Sequence, residues 1–196
     1  MLAKGNRSAQ VKAEDLLKRQ YFAHESPDGK MVSSLVEDQG YAYIKIGENL
    51  ALGNFVNDTD VVTAWMNSPG HRANILDAQF SEIGVGVARG LYEGHMAYFA
   101  VQHFGRPRSA CPSIESNLKS QFTIAQKYLD ELVASINSQK TAIDQGSGNT
   151  DQTNTLIQTY DKAVALYKEV YAKADELRMK YNAEVAEYNS CLTGNQ

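Results

Sequence analysis

Ala64-Trp65-Met66-Asn67-Ser68-Pro69-Gly70-His71-Arg72-Ala73-Asn74-Ile75-Leu76 is the stretch whose reading decides the fold. Pro69 biases Ser68 away from the α region and Gly70 admits a turn, so the stretch ends one helix, breaks, and starts a second short one. His71 then lies just past a sharp corner, a position from which an imidazole is aimed into a cleft. Two other segments carry side chains to meet it: Tyr21-Phe22-Ala23-His24-Glu25-Ser26-Pro27-Asp28-Gly29 and Ile46-Gly47-Glu48-Asn49-Leu50-Ala51.

Working outward, Ala9, Val11, Ala13, Leu16 and Leu17 stand near helical spacing, so residues 8 to 21 form a helix ending at Tyr21-Phe22. Ser26-Pro27-Asp28-Gly29 is a turn, and residues 31 to 38 make a short helix with Val32, Leu35 and Val36 on one side. Residues 41 to 46 alternate and predict a strand leading into Gly47-Glu48-Asn49. Asp58 or Thr59 caps the helix that carries Val61, Val62, Trp65 and Met66 inward. Ile83, Val85 and Val87 alternate, residues 95 to 104 alternate again, and Arg89 to Gly94 connects the two as an antiparallel hairpin.

These segments, with Ile83-Gly84-Val85-Gly86-Val87-Ala88 and Tyr98-Phe99-Ala100-Val101-Gln102-His103-Phe104-Gly105 following in order, resemble the CAP superfamily in its short bacterial form. That superfamily holds cysteine-rich secretory proteins, insect venom antigens and plant pathogenesis-related proteins. The resemblance covers residues 9 to 106 and implies a three-layer α-β-α sandwich in which residues 8 to 21 are the second helix. The family's first helix has no counterpart, so an exposed apolar surface is expected on this part. It further implies that His24, Glu48 and His71 line one central cleft. The family's usual second acid falls at Ser68, which departs from any mechanism or metal site that needs two carboxylates.

Beyond residue 106 the resemblance is silent. Residues 107 to 112 read as a linker, after which Leu118, Phe122, Ala125, Leu129, Leu132, Ile136, Gln139 and Ile143 recur at steps of four and three. Residues 144 to 151 break that pattern with two glycines, and heptads resume from Leu156 through Tyr160, Tyr167, Ala174, Tyr181 and Tyr188 to Cys191. Two long helices joined by a short polar loop are antiparallel neighbours. The expected fold is therefore α+β: a CAP-like sandwich over 1–106, a linker over 107–112 and an antiparallel helical hairpin over 113–192. The two cysteines, Cys111 and Cys191, are placed about symmetrically around the loop and are expected to form a disulfide at the hairpin's open end. Closing a loop of about 80 residues contributes roughly 4 to 5 kcal/mol in the chain-entropy model.

Composition excludes some functions. The 196 residues are 43% hydrophobic and 21% charged, with a net charge of −4. Residues 1–110 hold 11 basic and 12 acidic side chains, and residues 111–196 hold 8 and 11. Neither part offers the basic face that nucleic acid or an anionic membrane requires. No apolar run spans a membrane, and the first residues carry no signal peptide. The family resemblance nonetheless implies a secreted or cell-envelope protein, with its natural start expected upstream.

Two imidazoles and a carboxylate, His24, Glu48 and His71, are a candidate three-ligand zinc site. The competing reading is a polar cluster in which Glu48 holds both rings, with no cofactor required. Ser68, three residues from His71, is the only candidate nucleophile nearby, but no nucleophile elbow or oxyanion donors accompany it. His103, beside Phe104 on a strand, reads as a packed histidine, His95 as solvated, and Trp65 as core. The chain thus reads as a non-enzymatic module binding a small-molecule, lipid or protein ligand in the His24/Glu48/Ser68/His71 cleft, with the hairpin for presentation or protein contact. The alternatives are a metal-dependent hydrolase or peptidase using the same cleft, and a structural surface protein acting through the hairpin.

Overall fold

The computed structural model describes residues 3–146 and 149–194, so part of the expected breaker at 144 to 151 lies outside the described residues. The chain divides into two compact units between Cys111 and Pro112.

In the first unit three strands, β1 (Tyr43–Gly53), β2 (Glu82–Tyr92) and β3 (His95–Pro107), form an antiparallel sheet in the order β1-β3-β2. The strand expected over 41 to 46 runs on through Gly47-Glu48-Asn49, because each of these residues pairs with β3: Gly47 with Phe104, Glu48 with His103, Asn49 with Gln102. The β2–β3 connection is tighter than expected. Only Glu93 and Gly94 lie between the paired Tyr92 and His95, and both have positive φ, 48° and 83°, the signature of a two-residue type I′ turn.

Helix α1 (Ala3–Arg19) covers one face of the sheet. Its Ala9, Ala13 and Leu16, all fully buried, pack with Leu50, Ala88, Phe99 and Val101. The approach is close enough to require glycine beneath it. A Cβ on Gly84 would lie 2.0 Å from the Gly5 carbonyl carbon, and one on Gly86 would lie 2.2 Å from that of Ala9. At this distance α1 also covers the free edge of β2. Asn6 Oδ1 and Gln10 Oε1 accept from the backbone N–H of Val85 and Val87, and Gln10 and Gln20 side chains donate to the carbonyls of Val87 and Leu91. Side-chain amides thus occupy groups that would otherwise template another strand.

The opposite face is covered by α3 (Asp58–Asn67) and α4 (Pro69–Leu76), with α2 (Val32–Glu37) beside α1. Trp65, 3% exposed, packs on Ala51 and Ala100 and donates its indole N–H to Leu50 O at 3.1 Å. The α3 cap is Asn57, whose side chain accepts from Asp60 N, and not Asp58 or Thr59, which lie inside the helix. On this face Val85, Val87 and Leu91 of β2 remain 41%, 46% and 62% exposed. A 3-10 turn over Arg108–Ala110 ends the unit, with Arg108 N bonded to Ala42 O.

The second unit is a hairpin of α5 (Leu118–Asp144) and α6 (Thr150–Thr193). Glu115 meets Lys180 and Glu184, and Phe122 and Leu129 face Ala174 and Arg178, which makes the pair antiparallel. Leu118, Leu132, Ala174 and Cys191 are the buried seam residues. Asn149 and Gln152 form a capping box at the start of α6, and Gly194 ends it with φ 72°. Gln139 Oε1 is the buried side-chain atom without a hydrogen-bond partner among the described residues. Both cysteines, Cys111 and Cys191, are disulfide-bonded. Among the described residues no helix is long and apolar enough to cross a membrane.

Candidate functional site

Glu48 is the centre of the site. Its pairing with His103 places both side chains on the face covered by α1, where Glu48 is 7% and His103 2% exposed. Glu48 Oε2 lies 2.9 Å from His103 Nε2, and Glu48 Oε1 lies 2.7 Å from His24 Nδ1. A carboxylate offers only acceptors, so each ring donates to it. Beneath them, Ser8 Oγ of α1 lies 2.8 Å from His103 Nδ1 and 3.0 Å from Gly5 O.

His24 is held through its backbone. Lys12, 1% exposed, sends Nζ to His24 O at 2.6 Å and to Tyr21 Oη at 3.2 Å, and Tyr21 donates in turn to Asp15 at 2.6 Å. Burial lowers the Lys12 pKa below its ordinary value, partly opposed by the charge of Glu48. Burial and then the Asp15 hydrogen bond raise that of Tyr21. With the turn anchored in this way, the His24 ring reaches Glu48 while its side chain stays 53% exposed.

His71 approaches from α4. Asn49 Nδ2 donates to His71 O at 3.1 Å and to Gln102 Oε1 at 3.2 Å, while Asn74 Nδ2 donates to Asn49 Oδ1 at 2.9 Å and to Glu48 O at 3.3 Å. The His71 ring has its pKa lowered from 6.5, first by burial and then by the neighbouring His24. The Gly-Glu-Asn triplet thus divides its work. Glu48 supplies the carboxylate and Asn49 the tether to α4. Gly47 leaves room for Phe80, whose ring would lie 2.8 Å from an added Cβ.

Ser68 is the N-cap residue of α4, its N–H on Trp65 O and its carbonyl accepting from Arg72 N. Its hydroxyl makes no hydrogen bond to His71 among the described residues. The serine that does contact a histidine is Ser8. Ser8, His103 and Glu48 have the distances of a nucleophilic triad, but Ser8 is fully buried on the sheet-facing side of α1, and the chain of bonds serves to fasten that helix to the sheet. For a metal, both Glu48 oxygens are already engaged by imidazoles. Among the described residues no three His, Cys, Asp or Glu side chains converge as an ion would require.

Sequence reasoning did not bring His103, Ser8, Asn49, Asn74 or Lys12 into the site. His103 was legible in principle: had β1 been extended through Glu48, the antiparallel register would have set the two side by side. Lys12 and Ser8 sit on the otherwise apolar inward face of α1, where a buried polar residue signals a partner.

A model of the Cysteine-rich secretory protein family, CAP, matches residues 4–104. The Bacillus subtilis (strain 168) protein YkwD, described as uncharacterized, is 42% identical over 81 residues, covering 41% of this chain and 31% of YkwD. The membrane protein YlbC of the same organism, also described as uncharacterized, is 34% identical over 80 residues, covering 41% of this chain and 23% of YlbC. The chain thus spans less than a third of the length of these relatives. An extracellular SCP-domain protein from Bacillus anthracis str. Ames aligns with a TM-score of 0.45 and 28% identity, over 53% of this chain and 32% of that one. An outer surface protein from Borrelia burgdorferi aligns with a TM-score of 0.42 and 23% identity, over 53% of this chain and 74% of that one. The matched residues take in His24, Glu48, His71 and His103 together, and over them the chain belongs to the cysteine-rich secretory protein, or CAP, family.

Proposed function

We propose that the chain is an extracellular or cell-envelope CAP module whose His24/Glu48/Ser68/His71 cleft binds a ligand without turning it over, and whose hairpin serves protein contact. The observation that carries the binding reading is the state of Glu48. Both oxygens accept from imidazoles, and the carboxylate is 7% exposed, so it orients His24 and is not itself free to act as base on a substrate or water. His24 keeps half its surface open, and the desolvated His71 ring stands near it. Two ring edges at one opening suit a ligand with polar groups, from a small molecule, a lipid headgroup or a peptide. The extracellular placement is supported by the family and by the disulfide, which belongs to oxidising compartments.

A zinc-dependent hydrolase would need at least one imidazole to leave Glu48 before His24, Glu48 and His71 faced a common ion. The full chain separates these readings when incubated with a peptide and ester library, with and without chelator, beside an NMR binding screen of the same compounds. Binding shifts at the His24 and His71 rings with no turnover are expected. Turnover that chelator abolishes would replace the binder with the metalloenzyme.

A further inference from the structure

From Leu156 to Ala174 helix α6 is apolar at three positions of each heptad, whereas a two-helix seam needs two. Its seam positions run Leu156, Tyr160, Ala163, Tyr167, Val170 and Ala174 against α5. Beside them lies a second row at every seventh residue: Ile157, Val164, Tyr171, Arg178 and Val185. Ile157 is 40% and Tyr171 54% exposed, and Tyr171 stacks on Tyr167 with ring centroids 6.0 Å apart. The corresponding row on the other side of the α6 seam, Thr159, Leu166, Lys173, Lys180 and Glu187, is mostly polar. A stripe widened to one side only is the pattern of a helix covered by two neighbours in a bundle. Between the helices on this widened side, next to Tyr171 and Arg178, is an open groove of about 400 Å³ floored by Phe122, Leu129 and Ala174.

We propose that this face docks on the same face of a second copy of the chain, two hairpins closing into an antiparallel four-helix bundle about a two-fold axis at Tyr171. The row is self-complementary under that operation. Tyr171 meets the second copy's Tyr171, Ile157 meets its Val185, and Val164 meets the aliphatic stem of its Arg178. The outer flank of the row matches in charge as well, since Lys168 falls within one residue of the position opposite Asp175 of the other copy twice over, Asp175 also accepting from its own Arg178 Nε at 3.0 Å, and Asp161 lies one turn from the other copy's Arg178. An isologous interface requires this kind of pairing, each residue's partner meeting it in return. From Ile157 to Val185 the row is about 42 Å long at the helical rise. Over a hairpin about 20 Å wide the face buries roughly 800 Å² per copy, the size of a standard stable interface. The inference gives the contact role proposed for the hairpin a specific partner and rests on that role, not on ligand binding in the cleft.

Sedimentation equilibrium of the full oxidised chain at about 100 μM decides it. A species of twice the 21.6 kDa chain mass is expected. Tyr171→Glu sets two like charges on the axis and should weaken association by about thirtyfold or more, the effect of losing a central anchor. Leu166→Glu, on the other side of the seam, should leave association unchanged, with circular dichroism reporting that both variants keep their helix content. Lys168→Glu should weaken association and Lys168→Glu/Asp175→Lys should restore it, a rescue that a purely structural role of either residue would not give. A monomer at this concentration, or a dimer split by Leu166→Glu and indifferent to Tyr171→Glu, overturns the proposal. Titration of cleft ligands on the same samples is read separately, so a monomer that still binds them leaves the cleft reading intact.

Discussion

Replacing Gly86 by alanine tests how α1 reaches the sheet, and with it what holds the site from below. The added Cβ would sit 2.2 Å from the Ala9 carbonyl carbon, 2.3 Å from Gln10 N and 2.4 Å from Ala9 O, all backbone atoms that cannot rotate away. Carbon atoms pack at about 3.5 to 4.0 Å, so α1 must retreat by roughly 1.3 Å or more. A retreat of that size takes Ser8 Oγ from 2.8 Å to about 4 Å from His103 Nδ1, beyond hydrogen-bonding distance, and parts Gln10 from Val87. Overpacking costs about 1 to 3 kcal/mol, and each of three lost hydrogen bonds about 0.5 to 1.5 kcal/mol. The expected loss is about 2.5 to 7.5 kcal/mol, a large part of the roughly 5 to 15 kcal/mol that holds a domain. Urea unfolding followed by the fluorescence of Trp65, the one tryptophan, reads the first unit alone. Gly70→Ala is the matched control. A Cβ there meets nothing within 4 Å, and inside α4 alanine should be neutral or stabilising by up to about 1 kcal/mol. A Gly86→Ala protein within about 1 kcal/mol of the parent would refute the close-approach argument.

Three further outcomes follow from individual contacts. Gln139→Leu removes the unpartnered Oε1 from the hairpin seam together with the exposed Nε2 bond to Ser135 at 3.2 Å, and should raise hairpin stability by about 1 kcal/mol; a loss seen in thermal melts of helicity would show that Oε1 has a partner. Glu93→Asn, in the turn with φ 48°, should raise the urea midpoint of the first unit modestly, since asparagine adopts positive φ more readily; a lowered midpoint would contradict the turn assignment. For His71, the pKa in the folded chain lies below 6.5 because burial and then His24 disfavour the imidazolium. The unfolded chain therefore binds the proton first. The ring's contribution to stability is complete above about 6.5 and is lost as pH falls from there through the folded value. An NMR titration should give a midpoint under 6.5 that His24→Gln raises only part of the way; a midpoint at or above 6.5 would contradict it.

What the sequence made legible, and what it hid, follows physical lines. Periodicity marked α1, α3, the β2–β3 hairpin and the two long helices, because each buries one face and writes it as a repeat. The reading of Glu48 at the end of a strand rather than inside it came from Gly47, which looks like a break. In the structure that glycine serves a sheet residue that Phe80 overlies. That both cysteines are disulfide-bonded was legible from their even count. The link from Ser8 to His103 was not, since 95 residues separate the two and only the packing of α1 on Gly84 and Gly86 brings them together. Ser68 is close to His71 in sequence but lacks an elbow or oxyanion donors, and in the structure the helix start uses its backbone, not its hydroxyl.

One buried carboxylate, Glu48, holds His24 on the open side and His103 on the covered side. The four histidines of the chain make it measurable by long-range proton–nitrogen NMR of their rings, in the parent and in Glu48→Gln. A glutamine can accept from only one ring at a time through its oxygen and presents N–H to the other. Altered nitrogen shifts, the signature of a changed tautomer or hydrogen bond, are therefore expected at both His24 and His103, with His95 unchanged. Spectra in which His24 and His103 ignore the substitution would contradict that arrangement.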